Sequence, residues 1–357
     1  MQFSRISKTL LTGLVLMMSS LMAMAADYPA PKESVWVARD FRFQSGEVLP
    51  ELRVSYTTVG EPTGEPVLVL HGTTGSARSM LTPGFAGEMF GAGQPLDASK
   101  YFIILPDAIG TGKTSKPSDG LRMKFPRYNY DDMVEAQYRL VTEHLGIKHL
   151  RLVLGNSMGG MHTWLWATKY PGMMDIAVPM ASFPTEMSGR NWMMRRLLID
   201  SIKSDPEWMD GNYSKQPRNF QLTYLFFAVG TNGGDQALYK AGPSRVKADE
   251  YLAKRLAAPF NADANDYIYQ WDSSRDYNAA PNLEKITAQV LVINSADDER
   301  NPRSLGLMER EMKRIRNGSE IVIPGSDTTG GHGTVMQVKH WKEQLDQVMK
   351  SALRLGK

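Results

Sequence analysis

Short, continuous apolar runs recur along the chain at Pro66–Leu70, Tyr101–Pro106, His149–Gly155, Asp175–Pro179, Gln289–Asn294 and Ser319–Ile323. Runs of this length, bounded by polar and glycine-rich segments, predict strands buried on both faces. The stretches between them follow a helical period, so strands and helices alternate. That alternation predicts an α/β fold with a mostly parallel sheet covered by helices on both faces. Ahead of these runs, Val35, Val37, Phe41 and Phe43, then Leu52, Val54 and Tyr56, follow the two-residue alternation of antiparallel strands. The spacing breaks once. More than 100 residues separate Met180 from Gln289, too many for an ordinary crossover, and Arg195–Leu198, Leu222–Val229 and Tyr251–Leu256 there repeat at helical spacing. The expected organisation is a core in two parts, 26–182 and 286–357, with a helical lid inserted at 183–285. Of the lid aromatics Trp192, Trp208, Tyr213, Tyr224, Phe226, Phe227, Tyr267, Tyr269 and Trp271, most are expected to pack in the lid and some to line an acyl pocket.

The first 25 residues follow a different pattern. Arg5 and Lys8 precede an apolar stretch from Leu10 to Met18, and Ala23-Met24-Ala25 ends it with small residues. This is the form of a secretory signal peptide cleaved after Ala25. A spanning helix needs about 20 consecutive apolar residues, and Ser19-Ser20 interrupts this stretch. The expected location is periplasmic or secreted, with no stable membrane anchor after cleavage. Cleavage removes Arg5 and Lys8 and lowers the net charge from +3 to +1, which gives no basis for binding nucleic acid. The chain has no cysteine, so disulfides, a thiol nucleophile and lipid attachment at a cysteine are all excluded. The mature chain, about 330 residues, suffices for one large domain with an insertion. A homodimer is compatible with such a chain, and the pattern leaves the oligomeric state open.

Candidate chemistry starts at Gly155-Asn156-Ser157-Met158-Gly159, between an apolar run and a helix-like segment from Met158 to Tyr170. A strand, a sharp turn and a helix would raise the Ser157 hydroxyl above the sheet edge as a nucleophile. A serine needs a base and an acid to orient that base, here in the chain order Ser, Asp or Glu, His. The loop after Gln289–Asn294 offers Asp297, Asp298 and Glu299. Asp298 ranks first, four residues before Pro302 as in many proteins with this order; Asp297 is second and Glu299 third. The strand ending at Pro324 leads to Gly330-Gly331-His332-Gly333, which makes His332 the candidate base, and a long amphipathic helix is expected to finish the chain. Among the other histidines, His144, His149, His162 and His340 are expected to be structural or on the surface, and His71 need not take part in the chemistry. An oxyanion hole would draw one backbone N–H from Met158 and a second from Thr73, with Thr74 as the alternative.

Two other chemistries are set aside. Gly112-Lys113-Thr114 looks like the end of a P-loop, but Asp107 stands where the first glycine of that motif belongs. No His-Glu-x-x-His pair or histidine cluster suggests a metal site, and no cofactor is expected.

With these residues in place, the chain resembles the α/β-hydrolase superfamily, and within it the homoserine O-acetyltransferase family. The likeness spans most of residues 40 to 350. It is carried by Phe43 with Ser45-Gly46-Glu47, Tyr56 to Gly60, His71 with Thr74-Gly75-Ser76, Pro95-Leu96-Asp97, and above all Ser157-Met158-Gly159-Gly160-Met161 with Tyr170-Pro171. The resemblance implies a helical lid, a Ser157, Asp298, His332 triad, and Thr73 and Met158 as oxyanion donors. Two positions depart from the family. Gly333 stands where those acetyltransferases carry an aspartate thought to hold the amino-alcohol acceptor, and Gly72 with the Gly110–Ser115 loop resembles general hydrolases.

Export bears on the reaction expected. Acetyl-coenzyme A is a cytoplasmic metabolite, so water becomes the expected acceptor. The expectation is therefore a secreted or periplasmic serine hydrolase cleaving a small-molecule ester or related acyl compound through a Ser157 acyl-enzyme. The alternatives are an acyltransferase like the homoserine O-acetyltransferases and a non-catalytic binding protein on a hydrolase scaffold.

Overall fold

The computed structural model describes residues 27–356; the segment read as a signal peptide lies outside the described residues. Eight strands form one sheet: β1 (Lys32–Arg42), β2 (Val48–Val59), β3 (Glu65–Leu70), β4 (Tyr101–Pro106), β5 (Leu150–Asn156), β6 (Met174–Met180), β7 (Gln289–Ser295) and β8 (Gly318–Ile323). Their order across the sheet is β1-β2-β4-β3-β5-β6-β7-β8. β1 and β2 pair antiparallel, β2 meets β4 antiparallel, and β3 to β8 run parallel. The continuous apolar runs thus mark the parallel strands and the alternating segments the antiparallel edge. Every residue of β6 is buried, as its lack of alternation requires.

Among the described residues, ten helices accompany the sheet: α1 (Ala86–Met89), α2 (Tyr130–Arg139), α3 (Met158–Lys169), α4 (Gly189–Lys203), α5 (Arg218–Thr231), α6 (Asp235–Ala241), α7 (Arg245–Ala257), α8 (Ala264–Asp272), α9 (Leu307–Met312) and α10 (Lys342–Ser351). Buried apolar residues form one cluster on each face of the sheet, the first holding Trp164 and Trp166 of α3 and the second Phe85, Phe90 and Trp341. The last helix is shorter than the pattern suggests. It covers only 342–351, and His340 lies ahead of it in a single-turn segment, with the fully buried Trp341 between the two.

α4 to α8 fall between β6 and β7; α4, α5, α8 and the segment around Trp208 share a core of their own, with Leu198, Ile202, Trp208, Phe220, Phe227 and Trp271. Side chains of α8 tie this insertion to the main domain. Asp266 accepts from the Ser118 N–H at 2.8 Å and the Ser118 hydroxyl at 2.7 Å, while the Tyr269 hydroxyl donates to the Phe125 carbonyl at 2.6 Å. Among the described residues, no helix is long and apolar enough to cross a membrane.

Candidate active site

All the candidate groups emerge at the carboxyl ends of parallel strands, where the loops of such a sheet form a common crevice. Thr73 follows β3, Ser157 follows β5, Asp298 follows β7 and His332 follows β8. Ser157 sits at φ 56° and ψ −112°, a strained conformation for a residue with a side chain. The turn can close because three glycines admit backbone at very short range. A Cβ at Gly155 would meet the Gly159 carbonyl oxygen at 2.1 Å, one at Gly159 the Leu70 carbonyl at 2.3 Å, and one at Gly160 the Met180 carbonyl at 2.4 Å.

The structure brings Ser157, His332 and Asp298 into one chain of hydrogen bonds. The Ser157 hydroxyl lies 2.8 Å from His332 Nε2, and His332 Nδ1 lies 2.9 Å and 3.0 Å from the two Asp298 oxygens. With the hydroxyl donating to Nε2, the ring proton stays on Nδ1 and faces the carboxylate. All three residues are buried. Burial alone would raise the Asp298 pKa, but the charge of His332 and hydrogen bonds from His332, Asn301 and the Arg300 N–H hold it below the ordinary value. Burial holds His332 below its usual 6.5; Asp298 opposes this and Arg300 adds to it. A neutral imidazole beside an ionised carboxylate is the state a general base requires.

The two competing acids serve other positions. Asp297 accepts from the Thr329 hydroxyl at 2.6 Å and from the Gly331 N–H at 3.3 Å, so it braces the loop carrying His332 without touching the ring. Glu299 accepts from the Gly234 N–H at 2.7 Å and fastens the turn between α5 and α6. Asn301, which the sequence reading passed over, donates to Asp298 at 3.0 Å and to the Ala181 carbonyl at 2.9 Å. Its place in the loop gave no signal, since only the fold brings Ala181 beside it. Among the remaining histidines, His162 is buried and neutral, pushed down to about 3 by burial, and meets Gln137 at 3.1 Å. The His71 ring is fixed by the Gly72 carbonyl at 2.8 Å and by the Ala108 N–H at 3.0 Å.

Ser157 opens into a cavity of about 200 Å³ lined by Thr73, Thr74, Asn156, Tyr224, Phe227, Asn232, Trp271, Arg300, His332 and Gly333. Met158 opens α3, so its N–H has no intrahelical partner, and the Thr73 N–H has no backbone partner among the described residues. Both fit the oxyanion donors expected from the sequence. Among the described residues, the Thr73 hydroxyl and the Asn156 side-chain oxygen are buried without partners on this wall. Of the lid aromatics, Tyr224, Phe227 and Trp271 face the cavity while Phe226 points to solvent. Arg300 packs over the Phe227 ring at 4.8 Å, and burial followed by the charge of Arg195 pushes its pKa down to about 10, so it stays cationic at neutral pH. Among the described residues, no group of three or more His, Asp or Glu side chains could hold a metal ion.

The family model for the alpha/beta hydrolase fold matches residues 65–327. The chain belongs to this family. A homoserine O-acetyltransferase from Solidesulfovibrio magneticus is 37% identical over 275 residues, covering 71% of this chain and 67% of that one. The chain spans 56% to 61% of the length of the first curated relatives it matches, which bear the same name. Two solved structures share the fold at 19% identity and a TM-score of 0.78: an esterase named E22, covering 90% of this chain and 100% of that one, and a homoserine O-acetyltransferase from Bacillus anthracis, covering 91% and 99%. Within this alpha/beta hydrolase fold, Ser157, His332 and Asp298 stand hydrogen-bonded in series at the strand ends. The relatives overturn the expectation of a serine hydrolase with water as the acceptor, because these curated relatives are named as acetyltransferases. That expectation rested on reading the acceptor from the leader segment. The triad itself has the same form whether water or an alcohol attacks second.

Proposed function

We propose that this alpha/beta hydrolase is an acyltransferase of the homoserine O-acetyltransferase type, passing an acyl group from an activated ester or thioester to the hydroxyl of a small acceptor. The observation that carries this reading is the 37% identity over 275 residues to a protein of that name, in a chain whose serine, histidine and aspartate are hydrogen-bonded in series. His332 takes the Ser157 proton as the hydroxyl attacks the acyl carbon, and the Thr73 and Met158 N–H groups receive the charge on oxygen. His332 then protonates the leaving group. In the second half the acceptor hydroxyl gives its proton to His332 and attacks the acyl-Ser157 carbonyl, and the ester product leaves with Ser157 restored. A lid with its own core supports the reading, since shielding the acyl-enzyme from water favours transfer over hydrolysis.

The test is mass analysis of the protein mixed with p-nitrophenyl acetate, in wild type and Ser157→Ala. An acetyl adduct on Ser157 that discharges faster when homoserine or another small hydroxyl compound is added is the expected result. An adduct whose decay ignores every acceptor would overturn the transfer step. We also propose that residues 1–25 direct export with cleavage after Ala25. Recovery of the exported protein with Ala26 at its N-terminus is expected, and a protein retained in the cytoplasm with its leader intact would refute export.

A further inference from the structure

Among the described residues, the wall of the cavity carries a cation that forms no ion pair, and no carboxylate lines that wall to receive an amine. Arg300 spends its Nε on the Thr231 carbonyl at 3.1 Å and the Thr231 hydroxyl at 3.3 Å. Among the described residues, neither of its Nη atoms makes a hydrogen bond or an ion pair, and the side chain lines both the Ser157 cavity and a smaller one beside it. A second guanidinium stands behind it. Arg195 is fully buried over the Trp271 ring at 4.6 Å, is held by the Asn191 side chain at 3.1 Å and Ser274 at 3.1 Å, and leaves its Nη2 unpartnered. The charges of Asp298 and Glu299 favour the Arg300 cation, but among the described residues neither carboxylate forms an ion pair with either guanidinium: Asp298 is engaged with His332 and Asn301, and Glu299 with the Gly234 N–H. No Asp or Glu lines the Ser157 cavity, and Glu186, which lines the smaller one, is exposed. Cations held in low dielectric without partners are costly, and an anion placed against the free Nη atoms would offset that cost. A carboxylate suits the planar fork of a guanidinium, with two parallel N–H donors to its two oxygens.

We infer that the cavity takes a substrate bearing a carboxylate but no adjacent ammonium, with Arg300 as the residue that selects it. The inference rests on the acyl-transfer reading and narrows it. Homoserine carries both charges, and this wall provides for one of them. Gly333 has room for the missing anion, since a Cβ there would meet only the Asn232 side-chain oxygen, at an ordinary 3.6 Å.

The carboxylate could belong to the acceptor or to the acyl group, and two arms of one experiment separate them. Discharge of acetyl-Ser157 is compared for 4-hydroxybutyrate, homoserine and 3-aminopropan-1-ol. Acylation is compared for p-nitrophenyl acetate and p-nitrophenyl hemisuccinate. A charge-assisted bidentate contact corresponds to about 10- to 100-fold in kcat/KM. The expected result is a preference of that size for the carboxylate compound lacking an amine in one arm, lost in Arg300→Met and partly restored in Arg300→Lys. Gly333→Asp should shift acceptor preference back toward homoserine if the carboxylate sits on the acceptor. Absence of preference in both arms, with acetyl-Ser157 formed normally, would overturn this inference and leave acyl transfer standing. A wild type that forms no acetyl-Ser157 would overturn both.

Discussion

At the residue scale, the site depends on which of three consecutive acids reaches the histidine. Asp298 does so while Asp297 braces Thr329 and Gly331, an assignment that sequence order could rank but not decide, because neighbouring loop residues differ only in where their side chains leave the turn. Asp298→Asn should therefore lower turnover of p-nitrophenyl acetate about a thousandfold or more, while Asp297→Asn should chiefly lower stability. Equal losses in kcat would contradict the assignment. The pH profile follows from His332, which acts in its neutral form. Burial holds its pKa below 6.5, so activity should persist below that pH and fall only as pH drops through the depressed value. Arg300 contributes to that depression, so Arg300→Met should move the acid limb upward. A limb unmoved in the variant would show that the guanidinium does not act on the imidazole.

At the element scale, the strands were legible because continuous burial leaves an unambiguous apolar run, and the Ser157 turn because glycines are required where β5, α3 and the end of β3 crowd together. Gly160→Ala would press a methyl group against the Met180 carbonyl and the Ser182 hydroxyl, and should destabilise the protein by about 1–3 kcal/mol in denaturant titration. Less legible was the lid, whose helices announce themselves by period but whose seating depends on contacts far apart in sequence. Asp266 against Ser118 is one of these. Burial pushes the Asp266 pKa up to about 6, although Ser118 hydrogen bonds oppose it. The folded protein thus holds this proton more tightly than the unfolded chain, so the seam should be strongest below about pH 4 and weaken as pH rises toward 6. A difference in Tm between wild type and Asp266→Asn that changes across that interval is the expected reading, and one constant from pH 4 to 7 would remove the titration from Asp266. Arg300 escaped the sequence reading for a related reason. It sits two residues after the triad acid in a run of charges, and only the docking of α5 turns it into part of the cavity wall.

At the scale of the whole molecule, fold and nucleophile were read from local pattern, whereas the acceptor was inferred from the leader segment and had to be corrected by the relatives. Residue types and spacing specify an acyl-enzyme. The second nucleophile is specified by cavity shape and charge, which the chain assembles from α5, α8 and the loops after β3, β5, β7 and β8. On the proposed function, the acyl group goes to an alcohol in preference to water. The most direct measurement is the partition of acetyl-Ser157 between free acetate and O-acetyl product, with p-nitrophenyl acetate as donor and 4-hydroxybutyrate or homoserine present at increasing concentration. O-acetyl product that rises to exceed acetate, and that is absent in Ser157→Ala, is the expected result. Acetate as the sole product at every acceptor concentration would contradict it.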